Sequence, residues 1–306
     1  MQKSTSAANS DEANMKEKGP SKMAERIALV RARESQKPED ERVCYDPYAI
    51  RFISPKILEL AACNPDEIKA RWEQFDRLMP GLGNSIVARV RYFDDFVKTS
   101  INEGLEQLVI LGAGYDTRAY RIERLKGKVR VFEVDHPDTQ RVKIEKIKEI
   151  FGQLPDHVVY VSVDFETEKF GQMLLEIGYN KALKTLFVME GLIMYIPPKA
   201  VDETLSFIVE NSGKGSAVLF DYLPESVING TCQVETGKNI LNYVEQAGEP
   251  SQFGIKDEAI ELFLAQRGFF RIQNVTSEDY KRAYFHGINE NRVVYSSLSF
   301  AHAVIE

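Results

Sequence analysis

The sequence predicts an α/β protein built on a parallel, doubly wound sheet. Three observations predict it: five short apolar runs recur, helical patterns separate them, and a glycine-containing turn directly follows the first run. The runs are "QLVIL" (107–111), "VRVFEV" (129–134), "VVYVSV" (158–163), "TLFVME" (185–190) and "SAVLFD" (216–221). Their near-continuous apolar, β-branched character suits central strands covered on both faces. Helical spacing marks Asp138–Ile150, Glu168–Ile177 and Lys199–Asn211 between them. Such alternation implies right-handed crossovers.

The 306 residues, 43% of them hydrophobic, suit one large domain with additions or two small ones. Residues 1–21 are rich in Ser, Asn, Lys and Glu and hold little to bury, so a disordered tail is expected there. They also lack the apolar segment of a signal peptide. Residues 22–103 read as a helical cap. "MAERIALVRARES" and "SIVARVRYFDDFVKTSI" carry apolar stripes at helical spacing and are expected to pack over the carboxyl ends of the strands. The sheet domain then runs from 104 to 306. After its fifth strand, residues 223–254 form a long insert, expected to act as a lid. An amphipathic helix over Lys256–Gln266 follows, ended by Gly268. Two last strands, "FRIQNV" and "SFAHAVI", flank a Tyr-rich connection.

Charge and composition narrow the function. Net charge is -7, without a dense basic run, which speaks against a nucleic-acid partner. No apolar run approaches the ~20 residues of a membrane span. Cys44, Cys63 and Cys232 form no CxxC, and His136, His157, His286 and His302 give no i,i+4 pair, so no metal site is expected. Reduced thiols point to the cytoplasm.

The turn after the first strand reads "LGAGYDTRAYRI". Gly112 permits a tight turn, and Gly114 lets a ligand approach the backbone. The third glycine of a dinucleotide fingerprint is replaced by Thr117, and Asp116 stands before it. Both are good helix N-cap residues. A carboxylate where a pyrophosphate would lie disfavours NAD and favours a cofactor without phosphates. S-adenosylmethionine fits, with its ribose, adenine, amino-acid end and sulfonium. Asp135, ending "VFEVD" about 20 residues on, is placed to accept from both ribose hydroxyls.

"LGAGYDTRAYR", "FEVDHP" and "MEGLIMYI", with "CYDPYA" and "ARV" (88–90) towards the N-terminus, resemble the leucine carboxyl methyltransferase family, and the five motifs occur in its order. The likeness extends to its microbial branch of O-methyltransferases linked to polyketide metabolism and covers most of residues 25–306. It implies the seven-stranded class I methyltransferase sheet with a C-terminal antiparallel hairpin. It also implies that Arg89 grips the methionine carboxylate, that Gly112 lies against the amino-acid moiety, and that Asp135 holds the ribose. Asp164 and Phe165 would frame the adenine, and Glu190 would lie near the methionine amino group. A basic residue of the first helix contacts the cofactor in the family. Arg31 is the nearest match, with Arg33 competing. The phosphatase-directed branch has a basic residue after the adenine-side pair, where this chain has Glu166, so a protein C-terminal carboxylate becomes the lesser alternative.

These readings converge on methyl transfer to an oxygen of a small-molecule acceptor, with a carboxylate favoured over a hydroxyl. A catalytically silent S-adenosylmethionine-binding regulator is the alternative from another class. Tyr195, in "EGLIMYIPP", is expected to face the acceptor, and "DYKRAYFHGIN" either is a plain surface connection or reaches the acceptor through Tyr284 or His286, of which His286 is taken as the candidate.

Overall fold

Seven strands form a single sheet in a computed structural model that describes residues 19–233 and 235–306. Most of the tail expected at residues 1–21, residues 1–18, lies outside the described residues. The strands are β1 (Gln107–Leu111), β2 (Arg130–Asp135), β3 (Val158–Ser162), β4 (Thr185–Met189), β5 (Ala217–Tyr222), β6 (Phe270–Val275) and β7 (Ser299–Val304). Their order across the sheet is β3-β2-β1-β4-β5-β7-β6. The first five pair in parallel, and β7 runs antiparallel between β5 and β6. Every residue of β1 and β4 is buried, as continuous apolar runs require.

The helices are α1 (Lys22–Ser35), α2 (Pro55–Cys63), α3 (Pro65–Leu78), α4 (Leu82–Asn102), α5 (Arg118–Arg121), α6 (Pro137–Phe151), α7 (Phe170–Glu176), α8 (Pro198–Glu210), α9 (Glu225–Ile228), α10 (Glu235–Ala247), α11 (Ile260–Ala265) and α12 (Ser277–Tyr284). Alternation along the strands divides the core. Leu108 and Ile110 face α4, α6 and α12, while Val109 and Leu111 face α7, α8 and α11.

Several expectations need adjustment. The long stripe of α4 lies along one face of the sheet through Val90, Phe93 and Val97, not over the strand ends. Twenty-one residues of helix bury more apolar surface along a sheet face than across its edge. Only the first turns of α4 reach the carboxyl edge. The turn after β1 does open a helix, the one-turn α5. Its Thr117 hydroxyl donates to Asp46 at 2.7 Å instead of capping. The expected helix at Lys256–Gln266 is shortened to α11. The C-terminal antiparallel pair is present, with α12 between its strands in place of a tight turn. Among the described residues no helix is long and apolar enough to cross a membrane.

Candidate functional site

Chain order reverses between β1 and β4, so helices leave their carboxyl ends on opposite faces and a crevice opens there. One cavity of about 930 Å³ occupies it, near the upper end of the usual range for ligand sites. Strand ends and their turns form its floor, and α1, α2, α3 and α10 enclose it.

Gly112 follows β1 at φ 65°, and a Cβ there would lie 2.8 Å from Leu192 Cδ1. Gly114, at φ 42°, lies beneath α1, where an added Cβ would sit 3.4 Å from that of Ala24. Both positions need glycine. The last residue of β2 is Asp135. Its carboxylate accepts from the N–H groups of Gly114 and His136, the latter at 2.6 Å, and burial raises its pKa. His136 itself faces α6, its Nδ1 accepting from Asp138 N at 3.3 Å. Asp164 follows β3 and lines the cavity, with Oδ1 accepting from Glu166 N at 2.9 Å. Phe165 beside it packs on Phe170, ring centroids 5.9 Å apart.

Arg89 joins two strand ends. Its Nε lies 3.1 Å from Glu190 after β4, and its Nη1 lies 2.6 Å from Asp221 in β5. Burial works against this charge, and the two carboxylates outweigh it, raising the Arg89 pKa. Asp221 also accepts from Gly191 N at 2.6 Å. Arg31 enters from α1, donating to the Tyr115 carbonyl at 2.6 Å, with Asp46 3.3 Å away. Arg33 turns outward, its guanidinium 4.4 Å above the Trp72 ring. Tyr195, at the end of a 3-10 turn over Ile193–Tyr195, lines the cavity. Burial raises its phenol pKa well above the ordinary value.

His286 is misplaced by the sequence reading. It is exposed, its Nε2 3.0 Å from the Ala283 carbonyl, and forms no part of the cavity wall. Tyr280 anchors α12 to Ser85 of α4 at 2.8 Å, and the segment beyond turns to solvent. The charge expected of Asp116 is also countered. Its carboxylate accepts from Arg118 N at 2.6 Å and pairs with that guanidinium at 2.5 Å.

Sequence reasoning missed Arg118 as the hub beneath the loop. It is 1% exposed and reaches Asp94 at 2.7 Å and Glu190 at 2.5 Å. Arg121 grips Asp94 alongside, at 2.5 and 2.7 Å. A signal was present: Asp94 interrupts the apolar stripe of its helix, which a buried partner would explain. Asp221 was likewise legible as a second acid in the final residues of a buried strand.

The residues fit S-adenosylmethionine. A buried acid ends β2, backbone without Cβ faces the cavity, and Arg89 and Glu190 offer both charges to an amino-acid end. The fold with this site defines a class I S-adenosylmethionine-dependent methyltransferase. The family model for leucine carboxyl methyltransferase matches residues 24–209. The chain belongs to that family, and its cofactor is S-adenosylmethionine. It is 28% identical over 255 residues to "Putative S-adenosyl-L-methionine-dependent methyltransferase YktD" of Bacillus subtilis, covering 83% of this chain and 82% of that protein. A similarly named methyltransferase of Mycolicibacterium smegmatis is 38% identical over 191 residues, 60% of this chain and 61% of that one. Among solved structures, a "putative methyltransferase" of Thermobifida fusca shares the fold with a TM-score of 0.60 at 12% identity, covering 94% of this chain and 96% of that one. A DUF574 family protein of Streptomyces avermitilis does so at 0.58 and 12% identity, covering 91% and 97%.

Proposed function

We propose that this methyltransferase acts on a carboxylate oxygen of a small-molecule acid. The observation that carries the reading is the engagement of the groups that could serve as bases. Arg89 holds Glu190 and Asp221, Arg118 holds Asp116, and the Glu249 carboxylate accepts from Ser21 and Met23. The Nδ1 of His136 is likewise engaged, accepting from Asp138 N at 3.3 Å. Tyr195, its pKa raised by burial, stays protonated and donates. An acceptor must then arrive ionised. A carboxylic acid, with pKa about 4, does so at neutral pH, whereas a phenol near 10 does not.

The bound cofactor supplies a methyl group already activated on sulfonium. The chain's own residues bind, orient and exclude water, and alignment of reactants is worth on the order of 7–11 kcal/mol at its limit. In this reading Asp135 accepts from the ribose hydroxyls, and Asp164 and Phe165 frame the adenine. Gly112, Arg89 and Glu190 receive the amino-acid end, with Gly114 and Arg31 supporting the loop. Tyr195 orients the acceptor. The helices α1, α2, α3 and α10 keep water out. Three free cysteines suit the reducing cytoplasm.

The test is the product and its pH profile. A carboxylate acceptor gives an ester cleaved by mild alkali and a saturated rate that is flat from about pH 6 to 9. An alkali-stable product, with a rate climbing with pH, would overturn the reading in favour of a hydroxyl acceptor.

A further inference from the structure

We infer that the acceptor is a long-chain, apolar monocarboxylic acid whose tail lies between the α2–α3 pair and α10. The inference rests on the carboxyl-methylating reading above and names its substrate class. The cavity wall is segregated by polarity. Charged groups gather at the strand ends, in Asp135, Asp164, Glu190, Asp221 and Arg89. Facing them are apolar stripes at helical spacing: Ile57 and Leu60 on α2, Ile68, Trp72 and Phe75 on α3, and Ile240 and Val244 on α10.

Neither α2 nor α3 has a single buried residue. Both helices are nonetheless amphipathic, and their apolar stripes line the cavity. Ile57, Leu60, Ile68, Trp72 and Phe75 are all only half-buried. Burial of such a stripe is what ordinarily holds a helix on a protein. Here the surface that would complete the burial is a ligand's. Two cations lining this end are engaged: Arg71 pairs with Glu67 at 2.7 Å, and Arg26 donates to the Tyr243 carbonyl at 3.3 Å while covering that ring. A second charge on the acceptor would find no ready partner among these groups, so a monocarboxylate fits better than a diacid. The Tyr195 hydroxyl and the sulfonium of the bound cofactor would offer the head a donor and a positive charge near the glycine turn, so the acid's head points there and its chain points to the helices.

Trp72 is the only tryptophan of the chain, which makes it a reporter inside the chamber. The full-length protein, saturated with S-adenosylhomocysteine, is titrated with hexanoate, octanoate and decanoate below their critical micelle concentrations while Trp72 emission is followed. Saturable changes are expected, with affinity rising about four-fold per added methylene. Succinate should leave the emission unchanged. Ile68→Asn should weaken decanoate binding roughly ten-fold or more while leaving S-adenosylhomocysteine affinity unchanged. Methylation is measured separately on the same acids. Decanoate that binds with the chain-length slope but is never methylated would remove the carboxylate reading and leave the apolar chamber standing. Affinity independent of chain length, or succinate bound as tightly as decanoate, would overturn the inference even if esters form.

Discussion

Arg89 and Arg91 stand two positions apart on α4, which places them about 200° apart around the helix. One points into the cavity between two carboxylates. The other is exposed and pairs with Asp95 at 2.8 Å. A planar guanidinium can touch Glu190, Asp221 and a ligand at once, and an ammonium cannot. Arg89→Lys is therefore expected to weaken S-adenosylhomocysteine binding by about 1.5–3 kcal/mol, as for hydrogen bonds between charged groups. Arg91→Lys should change it by less than about 0.5 kcal/mol. Calorimetric titration of both variants checks this, and equal effects would show that the wrong arginine has been chosen. Asp135 has a pH signature. Only its ionised form accepts from two hydroxyls, and burial raises its pKa above the ordinary 3.8. Cofactor affinity should thus fall as the pH drops through that raised value, before an ordinary aspartate would titrate. In Asp135→Asn the affinity should be lower at neutral pH and lose that pH dependence. At this scale the sequence was informative where a residue's place follows from a strand end or a glycine turn. It failed at His286, because nothing local says which way a connection leaves the sheet.

The insert expected at residues 223–254 meets the first helix. Ser21 caps α1 by accepting from Ala24 N at 3.0 Å. Glu249, more than 200 residues on, accepts from the Ser21 hydroxyl at 2.9 Å and from Met23 N at 3.0 Å. Its negative charge thus sits at the positive end of the α1 dipole. Glu249→Ala should lower thermal stability by about 1 kcal/mol, the usual value of a cap. It should also make the region around α1 more susceptible to limited proteolysis, and saturating S-adenosylhomocysteine should restore protection. Unchanged cleavage kinetics in the variant would mean that this contact does not hold the cavity closed. Periodicity identified α1 and α4 as helices correctly and could not distinguish their destinations. Both carry apolar stripes, and only the packing partners show that α1 covers the glycine turn while α4 lies along the sheet.

The whole molecule carries buried charges whose protonation links to folding. Burial opposes ionisation of Asp94 and Asp116, but Arg118 and Arg121 outweigh it and hold both below the ordinary 3.8. Unfolding restores the ordinary value, so their stabilisation is complete above about pH 4 and is lost as the pH falls through the folded values. Burial raises the pKa values of Glu133, Asp135 and Asp221 instead. These three favour the folded state more as the pH falls from neutrality through their raised values. Urea midpoints should accordingly rise from neutral to mildly acid pH and drop below about pH 4, with Arg121→Gln shrinking the drop. A midpoint that declines steadily from neutrality would refute this balance. The sequence by itself determined the sheet, because two-sided burial demands runs such as "QLVIL" and "TLFVM" and crossovers join parallel strands in one hand. It also placed Gly112, Gly114, Asp135 and Glu190 on one edge, since each lies at or just beyond the end of a parallel strand. Only the tertiary structure decided that Arg118 joins Asp94 and Glu190, that Asp221 shares Arg89, and that α2 and α3 turn their apolar stripes to a cavity. Those contacts join residues up to 132 positions apart. Local propensity and periodicity carry no information about which distant charge or apolar face will close on another.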